Sequence, residues 1–264
     1  MNALEGHKVF VTGATGLLGS TLTRQLVDCG CEVTILVRDR VPGSAIWKFC
    51  ASDRTPLHEK LSIVYGDVTD FQLLVRALNE GEIKYVFHLA AQTIVEIANT
   101  NPLSTFESNI RGTYFLLEAC RTLKNKIHAV VIASSDKAYG ESDILPYTED
   151  MPLKANNPYD VSKSCADMIA QAYQNSYSLP VAILRCGNVY GGGDLNWSRI
   201  VPGTIMSLKK GEAPIIRSDG AYVRDYIYVE DVARAYVCVA EQLERENVQG
   251  EAFNVSNESP VTVR

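Results

Sequence analysis

Short apolar runs alternate with amphipathic stretches along most of this chain. Lys8 to Thr12 is an apolar run rich in β-branched and aromatic residues. Gly13-Ala-Thr-Gly16-Leu-Leu-Gly19 breaks it, and Leu18, Leu22, Leu26 and Val27 then recur at helical spacing. Gly30 is placed to end that helix and Cys31 to Val37 reads as a second strand, so the opening segment predicts a βαβ unit. The alternation continues with a strand at Leu61 to Tyr65, a helix over Phe71 to Asn79, a strand at Tyr85 to Leu89 and a helix over Thr105 to Leu123. A strand at Ala129 to Ala133, a helix from Tyr159 to Tyr177 and a strand at Val181 to Arg185 follow. Continuous apolar strands separated by helices predict the α/β class, as a Rossmann-type doubly wound parallel sheet covered on both faces. Ligand-contacting residues are then expected just beyond the carboxyl ends of the strands.

After Arg185 the pattern loosens. Gly187 to Gly193 is glycine-rich, Ile200 to Lys210 is helical, Ala213 to Arg217 and Tyr222 to Tyr228 are strand-like, and Val229 to Leu243 predicts an amphipathic helix. Phe253 to Ser256 reads as a strand, and Ser259 to Arg264 as the start of a helix. The expected organisation is a sheet domain at 1–186 with 226–250, and a smaller C-terminal lobe at 187–225 with 251–264, incomplete at its C-terminal end.

With 264 residues, 46% hydrophobic and 21% charged, the chain has the composition of a globular protein able to bury a core without disulfides. Its 25 basic and 31 acidic side chains argue against a nucleic-acid or anionic-membrane surface. Seven cysteines form no C-x-x-C pair and no cluster with zinc spacing, so no metal is expected. No apolar run approaches the about 18 residues of a membrane span. A cytoplasmic protein is expected.

The turn Gly13-x-x-Gly16-x-x-Gly19 follows a strand and opens a helix, the context a dinucleotide pyrophosphate needs: a tight turn, close backbone approach and free N–H groups at a helix N-terminus. At the end of the second strand, an acidic residue would hold a ribose 2′-hydroxyl and an arginine would accept a 2′-phosphate. Arg38 there leans toward NADP, Asp39 follows it, and a solvated Arg38–Asp39 pair is the plain alternative. Asp67 follows the third strand, where it can accept from an adenine amino group, and Asp70 is placed to cap the next helix. His88, inside an apolar strand, reads as a satisfied core histidine, and Leu89-Ala90-Ala91-Gln92 places small residues where a cofactor can lie close.

Ser135-Asp136-Lys137 follows the fifth strand, and Tyr159-x-x-x-Lys163 puts a phenol and an ammonium on one helix face. A cation beside a phenol favours the phenolate, so Tyr159 can take an alcohol proton while Ser135 holds the same oxygen. Asp136 and Lys137 also read as a local ion pair, and Arg224 as a partner of Asp225. Tyr222, Tyr226 and Tyr228 alternate as strand residues do and read first as packing.

Thr12-Gly-Ala-Thr-Gly-Leu-Leu-Gly19, His88-Leu-Ala-Ala91, Asn109-Ile-Arg-Gly-Thr113, Ser135, Tyr159/Lys163, Arg185-Cys-Gly-Asn188-Val-Tyr-Gly191 and Val223-Arg-Asp-Tyr-Ile-Tyr-Val-Glu-Asp231 together resemble the NAD-dependent epimerase/dehydratase family of extended short-chain dehydrogenase/reductases. Ser-Asp136-Lys137 and Gly187-Asn-Val-Tyr-Gly-Gly-Gly-Asp194 are similar to the CDP-glucose 4,6-dehydratases within it. The resemblance implies NAD or NADP, tightly bound, with contacts from Gly13, Thr15, Gly16, Leu17, Leu18, Gly19, Arg38, Asp67, Val68, Leu89, Ala90, Ala91, Gln92, Asn109, Tyr159, Lys163, Cys186 and Val189. It implies a nucleotide-sugar substrate whose diphosphate meets Asn188, Arg199 and Arg224. It also implies a cycle in which Tyr159 helps oxidise C4, the C5 proton becomes acidic, water leaves from C6 and the stored hydride returns to C6. Catalysis would then rest on Ser135, Asp136 as general acid, Lys137 at the C5 proton, Tyr159 and Lys163. Related dTDP-glucose dehydratases carry Asp-Glu where this chain has Asp136-Lys137, a departure that bears on the C5 base. A 4-epimerase and a catalytically silent NAD(P)-binding protein are the alternative readings. Relatives dimerise through a four-helix bundle, for which Phe115, Leu116, Ala119, Ala172 and Tyr173 are the expected apolar seam of a homodimer.

Overall fold

The computed structural model describes residues 4–50, 61–123, 126–216, 218–243 and 246–263. Seven strands, β1 (Lys8–Thr12), β2 (Glu32–Val37), β3 (Leu61–Tyr65), β4 (Tyr85–His88), β5 (Ala129–Ser135), β6 (Val181–Cys186) and β7 (Ala252–Val255), form one sheet in the order β7-β6-β5-β4-β1-β2-β3. Every neighbouring pair is parallel. The order reverses between β1 and β4, which opens the crevice where doubly wound sheets bind ligands.

Five helices cover the faces: α1 (Leu17–Asp28), α2 (Phe71–Glu80), α3 (Gly112–Thr122), α4 (Pro158–Tyr177) and α5 (Val229–Gln242). Side chains alternate across each strand, so the sheet separates two cores. Val9, Val11, Leu22, Leu26, Val131 and Tyr236 share one with α1 and α5. Phe10, Leu74, Val86, Leu116, Val130 and Ile183 share the other with α2, α3 and α4. Both faces are apolar because both are buried, which is why the strands read as unbroken hydrophobic runs.

Four elements depart from the sequence expectations, one of them the strand expected over Ala213 to Arg217, whose described residues 213–216 form no strand. The helix expected over Thr105 to Leu123 is Pro102–Phe106, a π-helical turn at Glu107–Arg111, and α3. The wide turn carries Asn109, whose buried amide bonds to the loop after β4. Phe253 to Val255, assigned with the rest of 251–264 to the substrate lobe, instead lies in β7 and extends the central sheet beside β6. The helix expected to start at Ser259 is a short strand, Val261–Thr262, antiparallel to Val223–Arg224. Arg217 and Arg264, the ends of two of the expected elements, lie outside the described residues. Asp70 caps α2, accepting from the Leu73 N–H at 3.0 Å. Among the described residues no helix is long and apolar enough to cross a membrane.

Candidate active site

The carboxyl ends of the strands open into a cleft of about 870 Å³ that runs from the glycine turn after β1 to Arg224. Gly13 and Gly19 make its floor. Gly13 has φ +75°, and a side chain on it would put Cβ 2.6 Å from the Leu89 carbonyl carbon. A Cβ on Gly19 would overlap the Gly13 carbonyl oxygen. Gly16 is the N-cap of α1 and no side chain caps that helix, so its first N–H groups face the cleft, as an anionic pyrophosphate requires. The residues present therefore fit a dinucleotide.

Thr15, Gly16, Leu17, Leu18, Arg38, Asp67, Val68, Leu89, Ala90, Ala91, Cys186 and Val189 line the cleft together with the expected catalytic residues. Arg38 donates from Nε to Asp39 at 2.6 Å, and both side chains are exposed. Gln92 and Asn109 do not line the cleft. Asn109 accepts from the Gln92 N–H at 2.7 Å, donates to the Gln92 carbonyl at 3.0 Å and donates to Ser162 Oγ at 2.9 Å. Its amide thus ties the loop after β4 to α4.

His88 is a satisfied core residue with an assignable proton. Thr113 Oγ1 donates to the Asn109 carbonyl at 2.6 Å, so it accepts from His88 Nε2 at 3.0 Å. Thr12 Oγ1 accepts from the Leu89 and Ala90 N–H groups and turns its own proton to His88 Nδ1 at 2.8 Å. Burial, reinforced by the Lys163 charge, pushes the imidazole down to about 3. The ring is therefore neutral and donates at Nε2.

At the catalytic end, Ser135 ends β5 and caps a single 3-10 turn, Asp136–Tyr139. Its hydroxyl donates to Asp136 Oδ1 at 3.0 Å, and Lys137 Nζ donates to Asp136 Oδ2 at 3.0 Å. The Asp136–Lys137 ion pair read from the sequence is thus present, on the cleft wall. Tyr159 stands at the N-terminal end of α4. Burial raises its phenol above the ordinary tyrosine range and the Asp136 charge adds to this, whereas Arg199 and a hydrogen bond with Ser135 pull it down. Lys163 donates to the Ala133 carbonyl oxygen at 2.8 Å, and burial brings its ammonium down to about 8. In this structure, then, Arg199 is the cation that bears on the phenol.

Arg199 is itself held by the buried Asp194 at 3.1 Å. Arg224 does not pair with Asp225: it donates to the Val223 carbonyl and lies over the Tyr222 ring. The Asp225 carbonyl accepts instead from the Asn188 N–H at 3.0 Å. Tyr222 and Tyr226, read as packing, line the cleft beside Arg224, and Tyr222 is exposed. Ser134, Asp194 and Tyr236 also line the cleft. Tyr236 lies inside an amphipathic helix pattern and Asp194 at the end of a glycine-rich run, where periodicity carries no sign of a ligand.

A second polar cluster braces the catalytic turn from below. Arg185 is fully buried against Asp167, with Nε–Oδ2 at 2.9 Å and Nη2–Oδ1 at 3.0 Å. It also donates to Tyr139 Oη at 2.8 Å, and that hydroxyl donates to Asn254 Oδ1 in β7 at 2.7 Å.

Comparison with known proteins agrees with this geometry. The model of the NAD dependent epimerase/dehydratase family matches residues 9–256. A CDP-glucose 4,6-dehydratase from Salmonella typhimurium is 32% identical, over 99% of this chain and 75% of its own length. The crystal structure of the dTDP-glucose 4,6-dehydratase DesIV from Streptomyces venezuelae, with NAD bound, superposes with a TM-score of 0.85 at 30% identity, over 97% of this chain and 78% of that one. A UDP-glucose 4-epimerase from Thermotoga maritima superposes with a TM-score of 0.82 at 28% identity, over 97% and 79% of the two chains. The chain belongs to the NAD-dependent epimerase/dehydratase family.

Proposed function

We propose that the chain is a nucleotide-sugar 4,6-dehydratase, which converts an NDP-hexose into the NDP-4-keto-6-deoxyhexose with net loss of one water. The observation that carries this reading is the Asp136 carboxyl group on the cleft wall, bonded to Ser135 and paired with Lys137. Loss of a C6 hydroxyl needs a proton donor, whereas inversion at C4 does not.

Bound NAD supplies the oxidant for C4 and the reductant that completes C6. Tyr159 takes the C4 hydroxyl proton and Ser135 holds the same oxygen, with the Arg199 charge favouring the phenolate. The ketone at C4 makes the C5 proton acidic. Transfer of one proton from Lys137 to Asp136, across their 3.0 Å contact, turns the ion pair into an amine and a carboxylic acid. The amine takes the C5 proton and the acid protonates the departing C6 hydroxyl, which restores the ion pair. As hydride reaches C6 a proton returns to C5 from the Lys137 ammonium, and the proton that Tyr159 took from the C4 hydroxyl replaces it, so that every group ends in its starting form. This is how a lysine can stand where related enzymes have a glutamate.

Incubation with CDP-, dTDP-, GDP- and UDP-hexoses, followed by mass spectrometry, tests the reading, with CDP-glucose the first choice by likeness to the Salmonella enzyme. The expected product has lost one water. A mass-neutral product inverted at C4 establishes the 4-epimerase instead, a reading supported by the similarity to the Thermotoga epimerase. The Ser135, Tyr159 and Lys163 set argues against a silent binding protein, which needs no phenolate.

The same reading includes a nucleotide-binding domain built on the central sheet and a substrate lobe around 187–225. It also includes a homodimer through the helices at 102–122 and α4. Leu116 and Ala119, expected in the seam, belong to the protomer core, and Leu103, Met168 and Tyr177 are large hydrophobic side chains exposed on those helices. Light scattering at micromolar concentration is expected to give twice the chain mass; monomer alone rejects the dimer.

A further inference from the structure

Thr12, His88, Thr113, Asn109 and Ser162 are all buried, and none of them lines the cleft, yet together they join the glycine turn to the catalytic tyrosine. Thr12, the last residue of β1, fixes the loop against which Gly13 packs, since its hydroxyl oxygen accepts from the Leu89 and Ala90 N–H groups at 3.2 and 3.1 Å. Its own proton goes to His88 Nδ1 at 2.8 Å, and His88 Nε2 donates to Thr113 Oγ1 on α3 at 3.0 Å. Thr113 donates to the Asn109 carbonyl at 2.6 Å, and the Asn109 amide donates to Ser162 Oγ at 2.9 Å. Ser162 donates in turn to the carbonyl oxygen of Tyr159 at 2.6 Å. Every donor points the same way, from β1 to α4, and each hydroxyl both accepts and donates. Such a series has no slack, because moving one member leaves a buried polar group without its partner.

We propose that this hydrogen-bonded series sets the separation between the dinucleotide turn and the Tyr159 end of α4, with His88 and Thr113 as positioning residues, so that the cofactor meets a preformed site. The glycine turn opens α1 on one face of the sheet, and Tyr159 stands on α4 on the other. Packing within one core therefore does not fix their separation, whereas the series passes from one side to the other through the end of β4. A site already held at its working dimensions loses less freedom when the dinucleotide binds, and so holds it longer. Only the dinucleotide site is involved, so the test needs no sugar and does not depend on which reaction follows.

Exchange of bound NAD for isotopically labelled NAD in the holoenzyme measures that hold directly. Thr113→Val keeps the shape of the side chain and removes the hydroxyl, whereas Thr113→Ser keeps the hydroxyl and removes the methyl group. Thr113→Val is expected to exchange about tenfold faster than the unaltered chain, and Thr113→Ser to stay within about twofold of it. Ser162→Ala cuts the series at its other end and is expected to act as Thr113→Val does. Thr113→Val/Ser162→Ala is expected to be no faster than either single variant, because one break already uncouples the two ends. Residues that merely support the fold give effects that multiply in the double variant. Three results each overturn the proposal: exchange within about threefold of the unaltered rate in the single variants that remove a hydroxyl, serine no better than valine at position 113, or effects that multiply. Circular dichroism shows whether each variant folds; if Thr113→Val does not, Ser162→Ala decides alone by the same threefold limit.

Discussion

The Asp136 carboxylate accepts the Ser135 hydroxyl on one oxygen and the Lys137 ammonium, 3.0 Å away, on the other. A proton can cross that contact without a change of backbone, so adjacent residues can supply the acid and the base that the proposed dehydration needs. Asp136→Asn keeps the shape and removes the acid. It is expected to lower formation of the 4-keto-6-deoxy product about 10²- to 10⁴-fold, while oxidation at C4 persists and reduced nicotinamide accumulates in its absorbance band. Full dehydration by this variant would remove Asp136 from the role of acid.

Tyr159→Phe is expected to retain NAD and to lose turnover by several orders of magnitude. Because burial and Asp136 raise the phenol, activity is expected to climb with pH on the alkaline side of neutrality. Arg199 counters that rise, so Arg199→Gln removes a stabiliser of the phenolate and moves the limb of the kcat profile to higher pH. A limb that stays in place in Arg199→Gln assigns it to a group other than Tyr159.

His88 makes folding sensitive to acid. It remains neutral in the fold down to about 3, whereas in the unfolded chain it protonates below 6.5. As pH falls from 6.5 toward 3 the unfolded chain therefore binds a proton that the folded chain refuses. The stability held above 6.5 is lost through that window, at up to about 1.4 kcal/mol per pH unit. Denaturant titrations at successive pH values are expected to show a shallower acid loss for His88→Gln, and identical slopes would rule this source out.

Arg185 and Asp167 form a buried pair under the catalytic turn. Arg185→Met leaves the carboxylate unpaired and frees Tyr139, with an expected loss of about 3–5 kcal/mol, whereas Arg185→Met/Asp167→Leu is expected to recover most of it. Equal loss in the single and double variants would mean that the bond to Tyr139, not the uncompensated charge, sets the cost.

Strands buried on both faces are legible as apolar runs, and the glycine turn is legible because only glycine tolerates the approach of Leu89 to Gly13. A parallel, doubly wound sheet could be anticipated from the alternation of strand and helix, but β7 at its edge could not. Tyr222 and Tyr226 were not legible as cleft residues, since strand periodicity places a side chain on a face without saying what that face meets. The π turn at Glu107–Arg111 escaped for a related reason: its cause is the buried amide of Asn109 reaching Gln92, a contact between residues distant in sequence.

The sequence by itself determined the parallel sheet and the dinucleotide turn, and it singled out the candidate reacting groups, because these depend on local periodicity and on residue type at fixed spacing. Only the tertiary structure decided how those groups are charged and paired. It set Lys163 on the Ala133 carbonyl, Arg199 on Asp194, and Arg38 between Asp39 and Asp67. Electrostatic influence falls with distance through space and depends on burial, and neither quantity is written in the order of residues along a chain.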